Sequence, residues 1–214
     1  MRGIFVTFEG GEGTGKTSQI EMLANRLRSL GQDVLETRDP GGTTIGKEIR
    51  NLLLDRENTR MADRTELLLY QASRAQLVRE VILPALEKGQ IVLSDRFTDS
   101  TIAYQGYGRG LDVGVIRAMN DFATQGVHPD LTFLLDLDPQ VGLQRAGRGS
   151  PGKAPDRIEA EILAFHHRVR EGYRTLAREE PFRIVTVDAA QGMAEIADQV
   201  WEQFTASLSR LRGE

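Results

Sequence analysis

A glycine-rich turn between a strand-like segment and a helix-like segment is the feature that most constrains how this chain folds. Residues 10–17 read Gly-Gly-Glu-Gly-Thr-Gly-Lys-Thr, with the apolar residues 4–8 before them and the helix-like residues 18–30 after them. In such a turn, successive backbone N–H groups and the N-terminus of the following helix face the same point and bind phosphate oxygens. The spacing therefore predicts a phosphate-binding loop (P-loop) at the first strand-to-helix junction.

The side chains of this loop suit a nucleotide phosphate site. Lys16 supplies a mobile cation, and Thr17 supplies a hydroxyl ligand for Mg²⁺. A merely structural turn before a helix would not account for the lysine and the hydroxyl residue together. We expect the nucleotide to be bound by the whole loop: Gly10, Gly11, Glu12, Gly13, Thr14, Gly15, Lys16, Thr17 and Ser18.

A second stretch, residues 147–154, repeats the glycine and lysine spacing in a different context. It follows a helix-like segment, Pro151 has no N–H to donate, and Ala154 offers no ligand for a metal. We therefore interpret this stretch as a loop without a phosphate site.

Short apolar runs alternate with longer helix-like segments along the chain. We predict five strands, over residues 4–9, 33–37, 91–95, 131–136 and 183–187. This alternation is typical of a parallel sheet covered by helices on both faces, which is a three-layer α/β/α fold. Ligands of such sheets bind beyond the carboxyl ends of the strands, where the sequence has Glu12, Arg38, Asp95 and Arg96.

Asp95 ends the third predicted strand, at the position where phosphate-loop enzymes hold Mg²⁺ directly or through water. We predict that role for Asp95. Asp136 at the end of the next strand is an alternative for the same role. A second alternative is that Asp95 only forms a local ion pair with Arg96.

Composition limits the classes to which the chain can belong. Its 214 residues, 40% hydrophobic and 27% charged, fit one domain over residues 1–214. The absence of cysteine excludes disulfides and cysteine-based zinc sites. A net charge of −4 argues against an extended nucleic-acid surface but leaves small anionic ligands possible. No signal peptide or membrane-spanning apolar run is evident, so we expect a cytoplasmic protein with no membrane partner.

Residues 61–83 have a helical pattern that ends at Pro84. Apolar side chains spread widely around this predicted helix, which favours a position in the core or at a subunit interface.

Several segments together with the loop resemble the thymidylate kinase (dTMP kinase) family. Residues 95–106 are similar to its DR[YFH]-x-x-S-x-x-A-Y-Q region, and residues 37–43, 68–76 and 156–159 resemble further family segments in the same order. The resemblance implies a P-loop NTPase-type fold and ATP-dependent conversion of dTMP to dTDP in dTTP biosynthesis. It also implies Mg²⁺ as cofactor and a homodimer.

By this resemblance, one group of residues binds the phosphate and sugar of dTMP. Arg96 would bind the phosphate and assist catalysis together with Lys16, whereas Arg38 and Arg50 would help hold the acceptor end. Glu12 would meet the deoxyribose 3′-hydroxyl. The side chain of Tyr104 would exclude a ribose 2′-hydroxyl.

A second group would recognise the base. Tyr70 would stack on thymine, Arg74 one helical turn later would reach a base carbonyl, and Thr101 and Gln105 would complete the polar contacts. The alternative is a core tyrosine with a solvated arginine beside it. Asp39 stands where the family more often has Glu, which weakens any assignment of a role to this carboxylate.

The variable positions of the loop carry no cation, although phosphoryl transfer needs positive charge around the migrating group. Residues 145–157 correspond to the family's LID, a flap that closes over ATP. The catalytic cation is expected among Arg145, Arg148, Lys153 and Arg157. The alternative is a flexible basic surface loop.

Two other functions remain open at this point. The first is another nucleoside monophosphate kinase. The second is a regulatory nucleotide switch, but the guanine-reading Asn-Lys-x-Asp segment of such switches does not occur in this chain.

Overall fold

The computed structural model describes residues 2–149 and 154–212, with Arg148, Gly149 and residues 209–212 described by their backbone only. Its centre is a five-stranded parallel sheet with the strand order β2-β3-β1-β4-β5. The strands are β1 (Ile4–Glu9), β2 (Val34–Arg38), β3 (Ile91–Asp95), β4 (Leu131–Asp136) and β5 (Ile184–Asp188). Three predicted strands have the observed bounds, and β2 and β5 lie one residue later than predicted.

Helices cover both faces of this sheet, so the predicted three-layer fold is confirmed. They are α1 (Lys16–Ser29), α2 (Thr44–Leu54), α3 (Asp63–Leu77), α4 (Leu83–Glu87), α5 (Thr98–Thr101), α6 (Val113–Thr124), α7 (Pro139–Gly149), α8 (Leu163–Glu179) and α9 (Met193–Arg212). Within the described ranges, every helix is too short or too polar to cross a membrane.

Alternate residues of β1 pack on opposite faces of the sheet. Val6 and Phe8 pack against α1 and α9, whereas Phe5 packs against the end of α3 and the turn that follows it. Both faces of the central strand are therefore buried, and the loop after β1 starts from a rigid position.

The long helix predicted over residues 61–83 does not end at Pro84. A π-helical turn, Val78–Ile82, joins α3 to α4, and Pro84 lies in the first turn of α4. The N–H of Leu83 donates to the carbonyl of Val78, five residues back. This wider turn accommodates a residue that lacks an N–H and would clash with the carbonyl of an ordinary α-helical turn.

The loop predicted over residues 147–154 is also partly wrong. Helix α7 continues through Gly147 to Gly149, and residues 150–153 lie outside the described part of the chain. The helix that begins at Pro139 continues through Gly147 and Gly149, because glycine weakens a helix but does not prevent one.

Candidate active site

The loop after β1 wraps around the ammonium group of Lys16. Lys16 Nζ donates to the carbonyl of Gly11 at 2.7 Å and to that of Gly10 at 3.3 Å. Gly13 and Gly15 have φ angles of +64° and +87°, which are strained for residues with a side chain. A Cβ atom on Gly13 would also overlap the carbonyl of Gly142 in α7. The loop can therefore adopt this shape only with glycine at position 13.

The two predicted metal-binding residues lie side by side at the mouth of the loop. The hydroxyl of Thr17 donates to Asp95 Oδ2 at 3.0 Å. Asp136, the alternative, accepts hydrogen bonds from Arg170 and Arg174 on α8. Its carboxylate is therefore already neutralised, which favours Asp95 for the metal.

Arg96 turns back over the loop from the end of β3. Its backbone has φ +71°, and its N–H donates to the carbonyl of Phe8 at 3.0 Å. The guanidinium donates to the carbonyl of Gly10 at 2.8 Å and to Glu12 Oε1 at 2.8 Å. Arg96 thus pairs with Glu12, and the local pair with Asp95 proposed as an alternative does not form among the described contacts.

Two adjoining cavities open at the carboxyl ends of the strands. The loop cavity contains about 1040 Å³ of empty space including its open mouth, and Lys16 and Thr17 are among its lining residues. The inner cavity contains about 510 Å³ of empty space including its open mouth, and Tyr70 and Arg74 are among its lining residues. Both cavities are lined by Glu12, Asp39, Arg50 and Arg96. Two ligands can therefore meet at Arg96.

The inner cavity is lined by all but one of the residues predicted to bind dTMP: Glu12, Arg50, Tyr70, Arg74, Arg96, Thr101, Tyr104 and Gln105. The exception, Arg38, lines the loop cavity instead. Arg50 donates to the carbonyl of Pro40 at 3.1 Å.

Polar atoms in this cavity are arranged to meet a ligand. The hydroxyl of Thr101 is buried and has no hydrogen-bond partner among the residues that the structure describes. The hydroxyl of Tyr104 donates to Glu12 Oε1 at 2.6 Å, and the amide of Gln105 donates to Glu66 at 2.8 Å. Glu12 and Gln105 are therefore held in fixed positions, whereas Thr101 remains available to a ligand.

Arg74 is buried and not solvated, so the alternative of a solvated arginine beside a core tyrosine is wrong for this residue. Its Nε donates to Asp39 Oδ2 at 2.6 Å, and both side chains are almost fully buried. Further bonds run to Asn120 Oδ1 at 2.9 Å and to the carbonyl of Phe97 at 3.1 Å. Asp39 therefore has a definite partner, and most of the N–H groups of Arg74 are engaged within the protein.

Glu66 on α3, to which no sequence pattern pointed, contacts two of the predicted site residues, Gln105 and Arg157. It accepts from Gln105 and from Arg109, and its Oε2 lies 2.6 Å from Arg157 Nη2. Burial alone would raise its pKa, but the bonds from Arg109 and Gln105 lower it. No sequence signal identifies a single buried glutamate on a helix, because its partners are far away in the chain.

The LID cations separate into two groups. Arg157 donates to the carbonyl of Leu53 at 2.7 Å and pairs with Glu66, and Arg145 donates to the carbonyl of Ala189 at 2.8 Å. The side chain of Arg148 and the whole of Lys153 lie outside the described residues. The contacts of Arg157 are those of an anchor, and a direct role for it in phosphoryl transfer stays a prediction.

Electrostatic coupling keeps the junction of the two cavities charged. Burial would raise the pKa of Glu12, but Arg96, Lys16 and the Tyr104 hydroxyl bring it down to about 2. Burial, followed by the like charge of Arg96, lowers the pKa of Lys16 to about 8. Near neutral pH Lys16, Arg96 and Glu12 are therefore all charged, and these three groups together carry one net positive charge, which favours anionic ligands.

Comparison with known proteins agrees with this geometry. The family model described as thymidylate kinase matches residues 8–200. A thymidylate kinase of Halothermothrix orenii is 52% identical over 208 residues, which cover 97% of this chain and 99% of the relative. One of Desulfovibrio desulfuricans is 51% identical over 211 residues, 97% of each chain. One of a Synechococcus species is 53% identical over 198 residues, 92% of each chain. With similarity of this extent over nearly its whole length, the chain belongs to the thymidylate kinase family.

Proposed function

We propose that this protein transfers the γ-phosphoryl group of ATP to the phosphate of dTMP, giving dTDP and ADP, as a step of dTTP biosynthesis. The observation that carries the proposal is the junction of the two cavities at Arg96. The phosphate-binding loop lines one cavity, and the other is lined by the aromatic and polar side chains expected to bind one nucleotide.

On the donor side, the glycine loop and the ammonium of Lys16 bind the phosphates of ATP. Lys16 now donates to loop carbonyls at 2.7 and 3.3 Å, and those weak acceptors can be exchanged for charged phosphate oxygens.

On the acceptor side, Arg96 binds the phosphate of dTMP, and Arg38 and Arg50 add positive charge at the junction. The acceptor phosphate has a second pKa of about 6, so its oxygen is already anionic near neutrality and no general base is required. Catalysis then consists of in-line positioning, charge neutralisation and exclusion of water.

The base is held by stacking on Tyr70 and by the polar groups of the inner cavity. The unpartnered hydroxyl of Thr101 and the oriented amide of Gln105 support base recognition, and Arg74 lines the same wall. Tyr104, held by its hydrogen bond to Glu12, would crowd a ribose 2′-hydroxyl and so favour deoxynucleotides.

The donor set at the mouth of the loop fits Mg²⁺. The Thr17 hydroxyl and the Asp95 carboxylate are hard oxygen ligands 3.0 Å apart, the kind that Mg²⁺ binds together with phosphate oxygens and water. When bound, the ion would neutralise charge on the phosphates of ATP. Thr17 and Asp95 would hold it, directly or through water.

Three further features belong to the same proposal: closure of a LID at residues 145–157, a homodimer, and residence in the cytoplasm. The LID would supply a further cation and exclude water from the reaction. For the dimer, the exposed Leu68 on α3 offers apolar contact area, and sedimentation analysis of the purified protein tests the oligomeric state.

A comparison of acceptors tests the activity. ADP formation is measured with ATP and Mg²⁺ alone and then with dTMP, dUMP, UMP or AMP added. We expect ADP only with an acceptor, and the highest kcat/KM with dTMP. The preference over dUMP should be modest, because one methyl group in an apolar pocket contributes only about 1–3 kcal/mol. Preference for AMP, or hydrolysis without any acceptor, would contradict the proposal.

A further inference from the structure

A buried carboxylate lies directly behind Arg96, and the reaction proposed above does not use it. The side chain of Glu9, the last residue of β1, is completely buried. Its Oε1 accepts from the backbone N–H of Phe97 at 2.7 Å. Its Oε2 accepts from the hydroxyl of Ser100 at 2.6 Å and from that of Tyr173 at 2.8 Å.

The same two hydroxyls contact the guanidinium of Arg96. Arg96 Nη1 donates to Tyr173 Oη at 3.1 Å and to Ser100 Oγ at 3.3 Å. Each hydroxyl has one hydrogen, and when that hydrogen is donated to Glu9 the lone pairs of the oxygen remain for Arg96. The two hydroxyl oxygens are also 2.7 Å apart, so either can donate to the other. The charge of an ionised Glu9 favours donation to the carboxylate instead, which leaves the hydroxyl oxygens as acceptors that face the arginine.

We propose that Glu9 is a positioning residue for acceptor binding: acting through Ser100 and Tyr173, its carboxylate holds the Arg96 guanidinium at the junction of the two cavities. This inference rests on the proposed function, in which Arg96 binds the acceptor phosphate. Arg96 has a backbone φ of +71°, an unfavourable conformation for a residue with a side chain. Contacts from four directions, through Gly10, Glu12 and the two hydroxyls, hold its side chain.

The charge of Glu9 changes in the physiological range. Burial, followed by the nearby carboxylate of Asp99, raises the pKa of Glu9 to about 7, although Arg96 opposes this shift. Arg183 donates to both oxygens of Asp99. The charged and titratable groups that face Glu9 from other elements are Lys16, Arg96, Asp99 and Tyr173.

Protonation of Glu9 removes the negative charge and turns one carboxylate oxygen into an O–H donor, so the two hydroxyls lose their fixed direction toward Arg96. Binding of dTMP by the free enzyme should therefore weaken as the pH falls through about 7. The acceptor phosphate adds its own loss near pH 6. We expect kcat/KM for dTMP to begin to fall at a higher pH than the protonation of the acceptor phosphate alone would cause.

Two variants test the inference. Glu9→Gln removes the charge, and Tyr173→Phe removes one of the two linking hydroxyls while it keeps the ring. We expect Tyr173→Phe to raise the KM and Kd for dTMP about tenfold, as for loss of one hydrogen bond to a charged group, and Glu9→Gln to raise them further. The KM for ATP should change by less than about twofold. Tyr107→Phe is the matched control. The ring of Tyr107 packs on Gly172, the neighbour of Tyr173 on α8, so this variant also removes one tyrosine hydroxyl close to that helix.

The pH profile gives a readout that a purely structural role would not change. In Glu9→Gln the acid limb should move down to the pKa of the acceptor phosphate, whereas Glu9→Asp should recover part of the dTMP affinity. The inference is wrong if folded Glu9→Gln binds dTMP as the wild type does, if both KM values rise together, or if its acid limb stays near pH 7. If Glu9→Gln does not fold, the test rests on Tyr173→Phe: a rise in the KM for dTMP without a rise in the KM for ATP supports the inference, and any other result contradicts it. A wild-type protein that does not phosphorylate dTMP would instead contradict the proposed function.

Discussion

Replacing Arg74 with methionine should destabilise the protein strongly, because it leaves a buried carboxylate without its cation. The side chains of Arg74 and Asp39 are 1% and 0% exposed and lie 2.6 Å apart. Removing one partner of such a pair costs about 3–5 kcal/mol. For a protein of this size, about 2–4 °C of melting temperature is lost per kcal/mol, so Arg74→Met should lower Tm by about 6–20 °C.

A second arginine pair provides the control. Arg28 and Glu36 are also 2.6 Å apart, but their side chains are 44% and 32% exposed. Arg28→Met should cost at most about 1 kcal/mol, because solvent screens the pair. Urea unfolding of the wild type and both variants gives their free energies of unfolding, which can be compared directly when the three denaturant slopes are equal. The difference between the two losses is the effect of burial.

The pH dependence of the loss identifies its cause. Burial raises the pKa of Asp39 even with Arg74 beside it, and removal of Arg74 should raise it further. A carboxyl group with a raised pKa in the folded state binds its proton more readily there than in the unfolded chain. Folding of the variant is therefore favoured as the pH falls through this raised pKa, and its deficit relative to the wild type should shrink toward acidic pH.

Two results would refute this reasoning. One is a loss of stability in Arg74→Met no larger than that in Arg28→Met. The other is a deficit that does not change with pH. A further check is the double variant Arg74→Met with Asp39→Asn, which removes both charges and should recover part of the lost stability.

Three other predictions concern the loop cavity. Gly13→Ala should abolish binding of a fluorescent ATP analogue, since its φ is +64° and a Cβ would overlap α7, whereas Gly11→Ala, with no atom within 4 Å of the new Cβ, should retain it. The kcat/KM for ATP should fall above about pH 8, where Lys16 loses its proton, and a flat profile to higher pH would contradict this. Asp95→Asn should raise the Mg²⁺ concentration for half-maximal activity by about tenfold or more, with the KM for dTMP unchanged, and a Mg²⁺ titration checks both.

The fold was predictable from the sequence because its signals are local. The apolar runs of β1, β3 and β4 and the glycine loop each define their own structure within a few residues. The end of the long helix was not predictable in this way. Pro84 normally ends a helix, but here a π-helical turn before it supplies the extra space, and that turn depends on packing against the sheet.

In the site, the sequence identified which residues line the cavities better than it identified their partners. Arg74 was predicted at the cavity wall, but its burial depends on Asp39 and Asn120, which are 35 and 46 positions away in the chain. The same holds for Glu66, which is 43 positions from Arg109. Periodicity and spacing contain no information on such distant pairs, and the resemblance to a family supplied residue types but not their ion pairs.

The arginines around the inner cavity fall into two electrostatic classes. Three of them each pair with a carboxylate: Arg96, Arg74 and Arg157. These arginines offer N–H groups in fixed directions, but each pair carries little net charge. In the part of the chain that the structure describes, neither Arg38 nor Arg50 forms an ion pair within 4 Å.

The uncompensated positive charge of the junction therefore comes chiefly from these two arginines together with Lys16. When two nucleotides meet end to end, their phosphates bring several negative charges to one place, and paired arginines cannot neutralise them without giving up their partners. Arg38 and Arg50 can do so at once. In the proposed reaction, Arg96 and Arg74 would therefore contribute directed N–H groups, whereas Arg38, Arg50 and Lys16 would contribute the positive charge that allows donor and acceptor to be bound together.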